Sequence, residues 1–335
     1  MTEEMGEQPA VLRDLQRRRE DIAAALEPLR RRSLAGVVII ARGSSDHAAI
    51  YGRYVLELAA RRPVSLAAPS LHTRYRAQTD YAGYLAIAVS QSGHTPEIVD
   101  VLQAVRAAGA ATVAVTNDPH SPLAAAADAA ILLGAGDERA VPATKTFTAQ
   151  LAAVALVAEA LGPVPWTGDD WERIPGLIEE LLADAAPATG AAELLGETDE
   201  LVAVGRGYLM CIAFEAALKL REAAGVRAEG WSAADFRHGP MTVARGDIPL
   251  LAVSAPGPAA ADVEELADEL QRGGTSVLRL SGRSDARLPY PAVLPEPLCA
   301  LPAAVRAQQL ALAVALRRGV DPDEPPGLRK VTPTT

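Results

Sequence analysis

A polar stretch, SQSGHT at residues 90–95, lies between an apolar run and a helical pattern. Hydroxyls and free backbone N–H groups at a helix N-terminus suit an anion, and Gly93 allows the tight turn that would wrap the loop around a phosphate. The alternative is an ordinary strand-to-helix turn, in which Thr95 caps a helix that Pro96 begins. That alternative leaves three residues unexplained: Ser90, Gln91 and Ser92. A second, weaker loop of this kind is GSS at 43–45.

Three charged residues, Glu215, Lys219 and Glu222, recur at the spacing of one helix face. Glu222 precedes Gly225, near the carboxyl end of the predicted helix, where the helix dipole disfavours a carboxylate. A carboxyl group in that position is suited to act as a general base. The alternative is a solvated Glu–Lys pair worth about 0.2–0.5 kcal/mol, and spacing alone leaves both interpretations open.

A histidine, His238, lies in the stretch DFRHGPM beside Gly239 and Pro240, which indicates a loop. Histidine is the side chain best suited to proton transfer near neutral pH, although a structural role is an alternative for a single histidine. The stretch ATKTFT at 143–148 predicts a helix start with a lysine in its first turn, a position that disfavours a cation.

Short apolar runs alternate with helical patterns, which predicts a doubly wound α/β fold with mostly parallel sheets. The predicted strands of the first half are 37–41, 85–89, 111–115 and 130–133, with a helix at 98–108. The second half predicts strands at 201–204, 250–253 and 276–280, and helices at 209–224 and 261–271. Open α/β sheets bind ligands at the carboxyl ends of their strands, which is where the polar loop falls.

The two halves repeat each other in one register. Gly43 aligns with Gly207, and Ser90 aligns with Ser254, at the same offset in residue number. This constant offset predicts an internal duplication. The second copy has Ser254-Ala255-Pro256 where the first has Ser90-Gln91-Ser92, so only the first copy keeps the polar loop.

The predicted domains are an N-terminal helix within 1–34, a first subdomain at 35–190, a second at 191–320 and a tail at 321–335. The helix is expected at 10–32, and Pro187 and Gly190 place the boundary near residue 190. A further helix is expected at 305–318.

Composition excludes several classes of partner. The net charge of −10 argues against nucleic acid and against anionic membranes. The apolar stretch 149–161 is too short to cross a bilayer, and two cysteines, Cys211 and Cys299, fit a reducing compartment. We therefore expect a cytoplasmic protein. The scattered histidines give no reason to expect a metal, and no cofactor is predicted.

Six ordered motifs together resemble the sugar isomerase (SIS) family, in particular the isomerase half of the glutamine:fructose-6-phosphate aminotransferases. They are GSS at 43–45, SQSGHT at 90–95, VPATKTFTAQL at 141–151, FEAALKLRE at 214–222, HGP at 238–240 and LRKVT at 328–332. The resemblance covers nearly the whole chain after about residue 35.

The resemblance implies roles for the matching residues. The loop holds the substrate phosphate through Ser90, Gln91, Ser92 and Thr95, with Ser45, Val141 and Ala143 also contacting substrate. Glu222 moves the proton between C1 and C2, His238 assists ring opening, Lys219 lines the site, and Lys330 forms a Schiff base with a ketose. In the related enzymes the histidine loop enters from the neighbouring subunit, which implies a homodimer with shared active sites.

Two departures bear on the substrate: His94 replaces a glutamate of the family loop, and Ala143 replaces a serine. The chain has no glutaminase part, so we expect no glutamine-dependent amination. The first expectation is an enzyme that isomerises and deaminates an amino-sugar 6-phosphate such as glucosamine 6-phosphate. The alternatives are a dehydratase of N-acetylglucosamine 6-phosphate, a fructosamine-phosphate deglycase, and a sugar-phosphate sensor without catalysis.

Overall fold

The computed structural model of the chain describes residues 1–30, 33–196, 198–244, 248–325, 327–328 and 330. These residues form two compact units. The first unit contains residues 10–138 and 145–165, and the second contains 1–9, 139–144 and 166–330. Parts of three predictions lie outside the described residues: the end of the helix at 10–32, the end of the tail, and most of the motif at 328–332.

The elements up to residue 161 are, in chain order, α1 (Thr2–Gly6), α2 (Gln8–Arg17), α3 (Arg19–Arg30), β1 (Gly36–Ile40), α4 (Ser44–Ala60), β2 (Val64–Leu66), α5 (Pro69–Thr73), β3 (Tyr84–Val89), α6 (Pro96–Ala107), β4 (Ala111–Thr116), α7 (Pro122–Ala126), β5 (Ala129–Leu132) and α8 (Lys145–Leu161). The remaining elements are α9 (Gly168–Ala183), α10 (Ala186–Leu195), β6 (Glu200–Gly205), α11 (Met210–Ala224), β7 (Arg227–Ser232), α12 (Ala233–Arg237), β8 (Leu250–Val253), α13 (Ala260–Arg272), β9 (Val277–Ser281), β10 (Leu288–Pro289) and α14 (Ala300–Arg317). Short 3-10 helices cover Gly207–Leu209, Pro240–Ala244 and Glu296–Cys299.

The described residues form two five-stranded parallel sheets, which confirms the predicted fold class. The strand order is β2-β1-β3-β4-β5 in the first unit and β10-β9-β8-β6-β7 in the second. Read from the β7 edge, the second sheet repeats the order of the first. The repeat also keeps its register, because the starts of β1 and β6 and the ends of β3 and β8 are separated by the same offset that relates Gly43 to Gly207.

Both faces of each sheet are covered by helices, which explains why the central strands are continuous apolar runs. In the first unit, α6 and α7 pack on one face around Ile40, Ala88 and Leu102, all fully buried. In the second unit, α12 and α13 pack around Val204, Phe236 and Leu266. Helices α4 and α8 contact the first sheet, and α11 and α14 contact the second.

Three edge strands were absent from the prediction: β2, β7 and β10. Strand β2 has three residues and β10 has two, too few to show a periodic pattern. Strand β7, RAEGWS, alternates buried and exposed positions but carries few large apolar side chains. Edge strands bury less apolar surface than central ones, so their sequence signal is weak.

Two predicted boundaries require correction. The single helix expected at 10–32 is two helices, α2 and α3, separated at Arg18, whose guanidinium reaches the carbonyl oxygens of Leu132 and Leu133. The units meet in the chain at 165/166 and not near 190, because α9 and α10 pack against α14 and so belong to the second unit. Residues 1–9 and 139–144 also belong to the second unit.

One helical stretch, Glu296–Arg317, is long and apolar enough to cross a membrane by length and composition. Within its apolar window, 89% is buried inside the protein, as is usual for a core helix of a folded domain.

Candidate active site

The first sheet has its topological switch point between β1 and β3, which are neighbours in the sheet. The strand order changes direction there, since the strand after β1 is added on one side of the pair and the strand after β3 on the other. The loops that follow these two strands therefore open side by side at the carboxyl edge, where such sheets bind ligands. They contain Ser45, in the first turn of α4, and the polar loop 90–95.

The polar loop 90–95 is held by its own side chains. The Gly93 N–H donates to Ser90 Oγ at 3.2 Å, and the His94 N–H donates to Ser92 Oγ at 3.2 Å. Gly93 has φ +66°, and a Cβ there would lie 2.3 Å from Ser121 Oγ, so this position requires glycine. The backbone of the loop is thus fixed in a tight turn.

Thr95 begins helix α6 through its backbone and not through its side chain. The carbonyl of Thr95 accepts from the Ile98 N–H, and Pro96 occupies the first helical position as predicted. No hydrogen bond links the Thr95 hydroxyl to α6 among the described residues, so the predicted side-chain cap is absent. The capping interpretation therefore does not account for this hydroxyl.

His94 contacts Asp118, a residue that the sequence analysis did not single out. His94 Nε2 lies 2.8 Å from Asp118 Oδ2, and the His120 N–H donates to Asp118 Oδ1. The hydrogen bond from His94, followed by that from His120, lowers the pKa of Asp118. Because Asp118 lies just beyond the carboxyl end of β4, the pair connects the polar loop to the neighbouring strand end. Helix α6 and strand β4 separate the two residues along the chain, so no motif could reveal the contact.

The charged face of α11 is buried, so the interpretation of a solvated Glu–Lys pair is wrong. The Lys219 side chain is 1% exposed; its Nζ lies 3.4 Å from Glu215 Oε1 and also bonds Glu222 Oε2. Glu215 is fully buried, whereas 22% of the Glu222 side chain is exposed. The buried Lys219 ammonium lies between the two carboxylates. It holds the partly exposed Glu222 carboxylate in place near the carboxyl end of α11.

The segment 139–144 lies against the tail within the second unit. Lys330 Nζ donates to the Ala140 carbonyl at 2.7 Å, and the Val141 N–H donates to the Asp323 carbonyl at 3.0 Å. The Glu4 carboxylate accepts from the Ala140 N–H at 3.1 Å, and Gln308 Nε2 donates to the Thr144 carbonyl. Lys330 thus lies next to Val141, one of the two predicted substrate contacts of this segment, through its bond to Ala140.

His238 is exposed. It lines an open surface cavity of about 950 Å³ with Ala233, Arg237 and side chains of α13. Glu222 is not among the lining residues. The two predicted catalytic groups of one chain are therefore not in the same cavity.

In the second unit, the crevice that corresponds to the polar loop is filled by a carboxylate. Gly257 is the counterpart of Gly93, and a Cβ there would lie 2.1 Å from Glu296 Oε2. Gly207 also faces Glu296 Oε1, whereas no described atom lies within 4 Å of the corresponding position at its counterpart Gly43. Burial raises the pKa of Glu296. The two copies therefore differ at this edge: the Glu296 carboxylate lies beside Gly207 and Gly257 in the second, whereas the position beside Gly43 is clear in the first.

Among the described residues, no group of three or more His, Cys, Asp or Glu side chains is arranged to hold a metal ion. The two cysteines are buried, and burial raises the pKa of the Cys211 thiol well above its ordinary value. Neither cysteine has the environment of a reactive thiolate.

Known proteins share this sequence and fold. The SIS domain pattern matches residues 35–160. A protein from Silicibacter pomeroyi, named a candidate phosphosugar isomerase, is 33% identical; its crystal structure superposes with a TM-score of 0.84 over 96% of this chain and 99% of its own. The chain belongs to the SIS family. An isomerizing glutamine–fructose-6-phosphate aminotransferase from Gloeobacter violaceus is 34% identical over 98% of this SIS chain and 58% of its own length.

The C-terminal domain of the glucosamine-fructose-6-phosphate aminotransferase from Francisella tularensis has the same SIS fold. It is 22% identical, with a TM-score of 0.85 over 96% of this chain and 97% of that domain. The SIS chain described here thus spans little more than half the length of its curated aminotransferase relatives.

Proposed function

We propose that this SIS chain is an enzyme that binds an amino-sugar 6-phosphate, glucosamine 6-phosphate in the first instance, and deaminates and isomerises it by proton transfer between C1 and C2. The names of its relatives support this choice, since a phosphosugar isomerase and an isomerizing aminotransferase both act on phosphorylated sugars. The chain spans 58% of the length of that aminotransferase relative.

The observation that carries the proposal is the polar loop 90–95 at the switch point of the first sheet. Its backbone is fixed by Gly93, and its hydroxyls, including that of Thr95, stand at the positive end of α6. The corresponding crevice of the second unit contains the Glu296 carboxylate, which is itself an anion. We infer that the polar loop is the anion site of this architecture, and that Ser90, Gln91, Ser92 and Thr95 hold the substrate phosphate there.

The proposed reaction begins with ring opening, which His238 assists. Glu222 then removes the C2 proton of the open-chain aldehyde while the aldehyde oxygen takes up a proton from the C2 ammonium group, giving an enolamine, and Glu222 returns its proton to C1. The product is the C2 imine of the ketose, and water hydrolyses it to fructose 6-phosphate and ammonia. Lys219 fixes the Glu222 carboxylate, and the proposed role of Lys330, in the tail, is to form a Schiff base with the ketose carbonyl.

We further propose a homodimer with shared active sites. The support is the position of His238, which is exposed on its own chain and lies in a cavity that Glu222 does not line. A second copy of the chain would bring its His238 to the first copy's Glu222. The proton shuttle and the ring-opening group would then come from different subunits.

The decisive variant is Glu222→Gln, which keeps the shape of the side chain and removes the base. We expect turnover of glucosamine 6-phosphate, followed as release of ammonia and formation of ketose, to fall by at least about 100-fold. The dissociation constant for the same sugar phosphate, measured by calorimetry, should stay within about threefold of the wild-type value, since the phosphate loop is untouched. A Glu222→Gln enzyme with normal turnover would remove this residue from its role.

Elimination is the second candidate reaction, favoured by Ala143, which offers no hydroxyl where the family pattern has serine. With an acetylated C2 nitrogen no imine can form, but removal of the C2 proton can expel the C3 hydroxyl as water. Incubation with N-acetylglucosamine 6-phosphate tests this through a new ultraviolet chromophore. Binding of these sugar phosphates without any turnover would instead indicate a sensor.

A further inference from the structure

Helices α4 and α8 of the first unit pack side by side in the same direction. Near their beginnings, Ser45 of α4 contacts Gln150 of α8; near their ends, Gly162, which follows α8, lies against the Ala59 carbonyl of α4. Between these points, a Cβ at Gly52 would be 3.1 Å from Val154 Cγ1. Two glycines thus permit a close approach of the helices, and Ser45 at the start of α4 reaches Gln150 in the second turn of α8.

At this contact, Gln150 Nε2 donates to Ser45 Oγ at 3.0 Å. Gln150 is 2% exposed and Ser45 is 8% exposed, so water competes little for the bond. A hydroxyl has one hydrogen and can also accept. Because Ser45 Oγ accepts from Gln150, its own hydrogen stays available to donate to another acceptor. Ser45 lies at the open switch point, where that acceptor would be a substrate oxygen.

The other end of the same amide gives a second, independent observation. Gln150 Oε1 is buried and has no hydrogen-bond partner among the described residues. A buried acceptor without a partner loses the hydrogen bonds that water would give it, so such atoms normally have a partner in the working state of a protein. A sugar hydroxyl beside Ser45 would supply the missing donor.

We propose that Gln150 is a positioning residue that turns the Ser45 hydroxyl toward the bound sugar phosphate and offers its own carbonyl oxygen to a sugar hydroxyl. This inference rests on the proposed function, because it needs a sugar phosphate at the switch point. It adds a determinant of affinity in α8, distant from the phosphate loop in sequence.

A double-mutant cycle tests the proposal, with glucosamine 6-phosphate as the probe in a Glu222→Gln background that does not turn it over. Ser45→Ala removes the hydroxyl, and Gln150→Leu removes the amide that orients it. Each should weaken binding, measured by calorimetry, by about tenfold or more, the usual value of a hydrogen bond to a charged group. The double variant should bind much like Gln150→Leu alone, because losing the amide removes both its own contact with the sugar and the orientation of the Ser45 hydroxyl, so that Ser45→Ala costs little more.

Two controls separate this effect from loss of folding. Gln8→Leu makes the same change at another buried glutamine, whose amide donates to the Met5 carbonyl, and should leave the dissociation constant unchanged. Gln150→Met offers a second, more flexible side chain of similar volume should Gln150→Leu fail to fold. Far-ultraviolet circular dichroism and the melting temperature establish that each variant is folded.

The outcomes distinguish the two proposals. A parent protein that binds no sugar phosphate overturns the proposed function and this inference with it. A different result would overturn this inference alone: the parent binds normally, Ser45→Ala binds weakly and both Gln150 variants bind normally. Ser45 would then donate to Gln150 and not accept from it. Fully additive losses would likewise show that Gln150 acts independently of Ser45.

Discussion

At the scale of single residues, Lys219 shows what the sequence reveals and what it conceals. The spacing of Glu215, Lys219 and Glu222 predicts a shared helix face, and the structure has that face. The same spacing fits a buried or an exposed face, so burial could not be deduced from it. The small neighbours in the stretch EAALKLREAA allow α14 to pack closely on α11, and this packing buries the charges. Phosphate-loop residues were easier to find, because they are contiguous.

Glu296 supplies a prediction about pH. Its pKa is raised in the folded protein by burial, so its ionised form opposes folding at neutral pH. As pH falls through the raised pKa the carboxyl is protonated and the penalty disappears. Glu296→Gln should therefore stabilise the protein at pH 7, by less than about 1 kcal/mol because the group keeps partial access to solvent. Urea unfolding should show the gain shrinking toward pH 4.

Asp128 is a control for the Glu296 measurement, because its pKa is shifted in the opposite direction. Burial alone would raise its pKa, but hydrogen bonds from Thr112 and the charge of Arg106 outweigh burial and lower it. Its stabilising contribution is therefore present at neutral pH and is lost as pH falls. Asp128→Asn should destabilise the protein most at pH 7. The same pH trend in both variants would contradict the assigned causes.

At the scale of elements, close packing of α4 on α8 is the feature that sequence patterns could not supply. Periodicity predicts that a helix has a buried face, and helix α8 was indicated by its apolar stretch. It does not predict which helix covers that face or how near it comes. That Gly52 and Gly162 allow the two helices to come close is evident only when the helix packed against each of them is known.

Gly162→Ala tests this close packing. The added Cβ would lie 2.0 Å from the Ala59 carbonyl oxygen, so the end of α4 must move. We expect a loss of about 1–3 kcal/mol in the free energy of unfolding, the usual cost of overpacking. Gly176→Ala is the matched control: it lies inside α9 with no described atom within 4 Å of the new methyl group. There the helix should gain about 0.5–1 kcal/mol. Equal effects in both variants would contradict the packing argument.

At the scale of the whole molecule, the duplication was predictable because the same difference in residue number separates Gly43 from Gly207 and Ser90 from Ser254. The central strands repeat that offset, because they share one buried pattern in both copies. The division into units was not predictable, since residues 1–9 and 139–144 join the second unit through long-range hydrogen bonds, such as those from the Ala140 N–H to the Glu4 carboxylate and from the Val141 N–H to the Asp323 carbonyl, that leave no sequence pattern.

The proposed dimer with shared sites makes a prediction for mixed subunits. Glu222→Gln and His238→Ala should each be inactive alone. Unfolding and refolding an equal mixture should restore about a quarter of wild-type turnover, because half of the dimers are mixed and one of their two sites has both native groups. Analytical ultracentrifugation should show dimers in every sample. A mixture as inactive as its components would place both groups of each site on one chain.

The carboxylate of Glu296 in the second crevice has a consequence for experiments on the native chain. One chain contains two copies of the same architecture, one with the polar loop and one with the Glu296 carboxylate. The second copy therefore serves as the reference for binding to the first, in the same solution and at the same concentration. A solute attracted to such crevices by shape alone would be excluded from the occupied copy. We therefore expect a sugar phosphate titrated into the protein to saturate at one molecule per chain, a ratio that calorimetry measures.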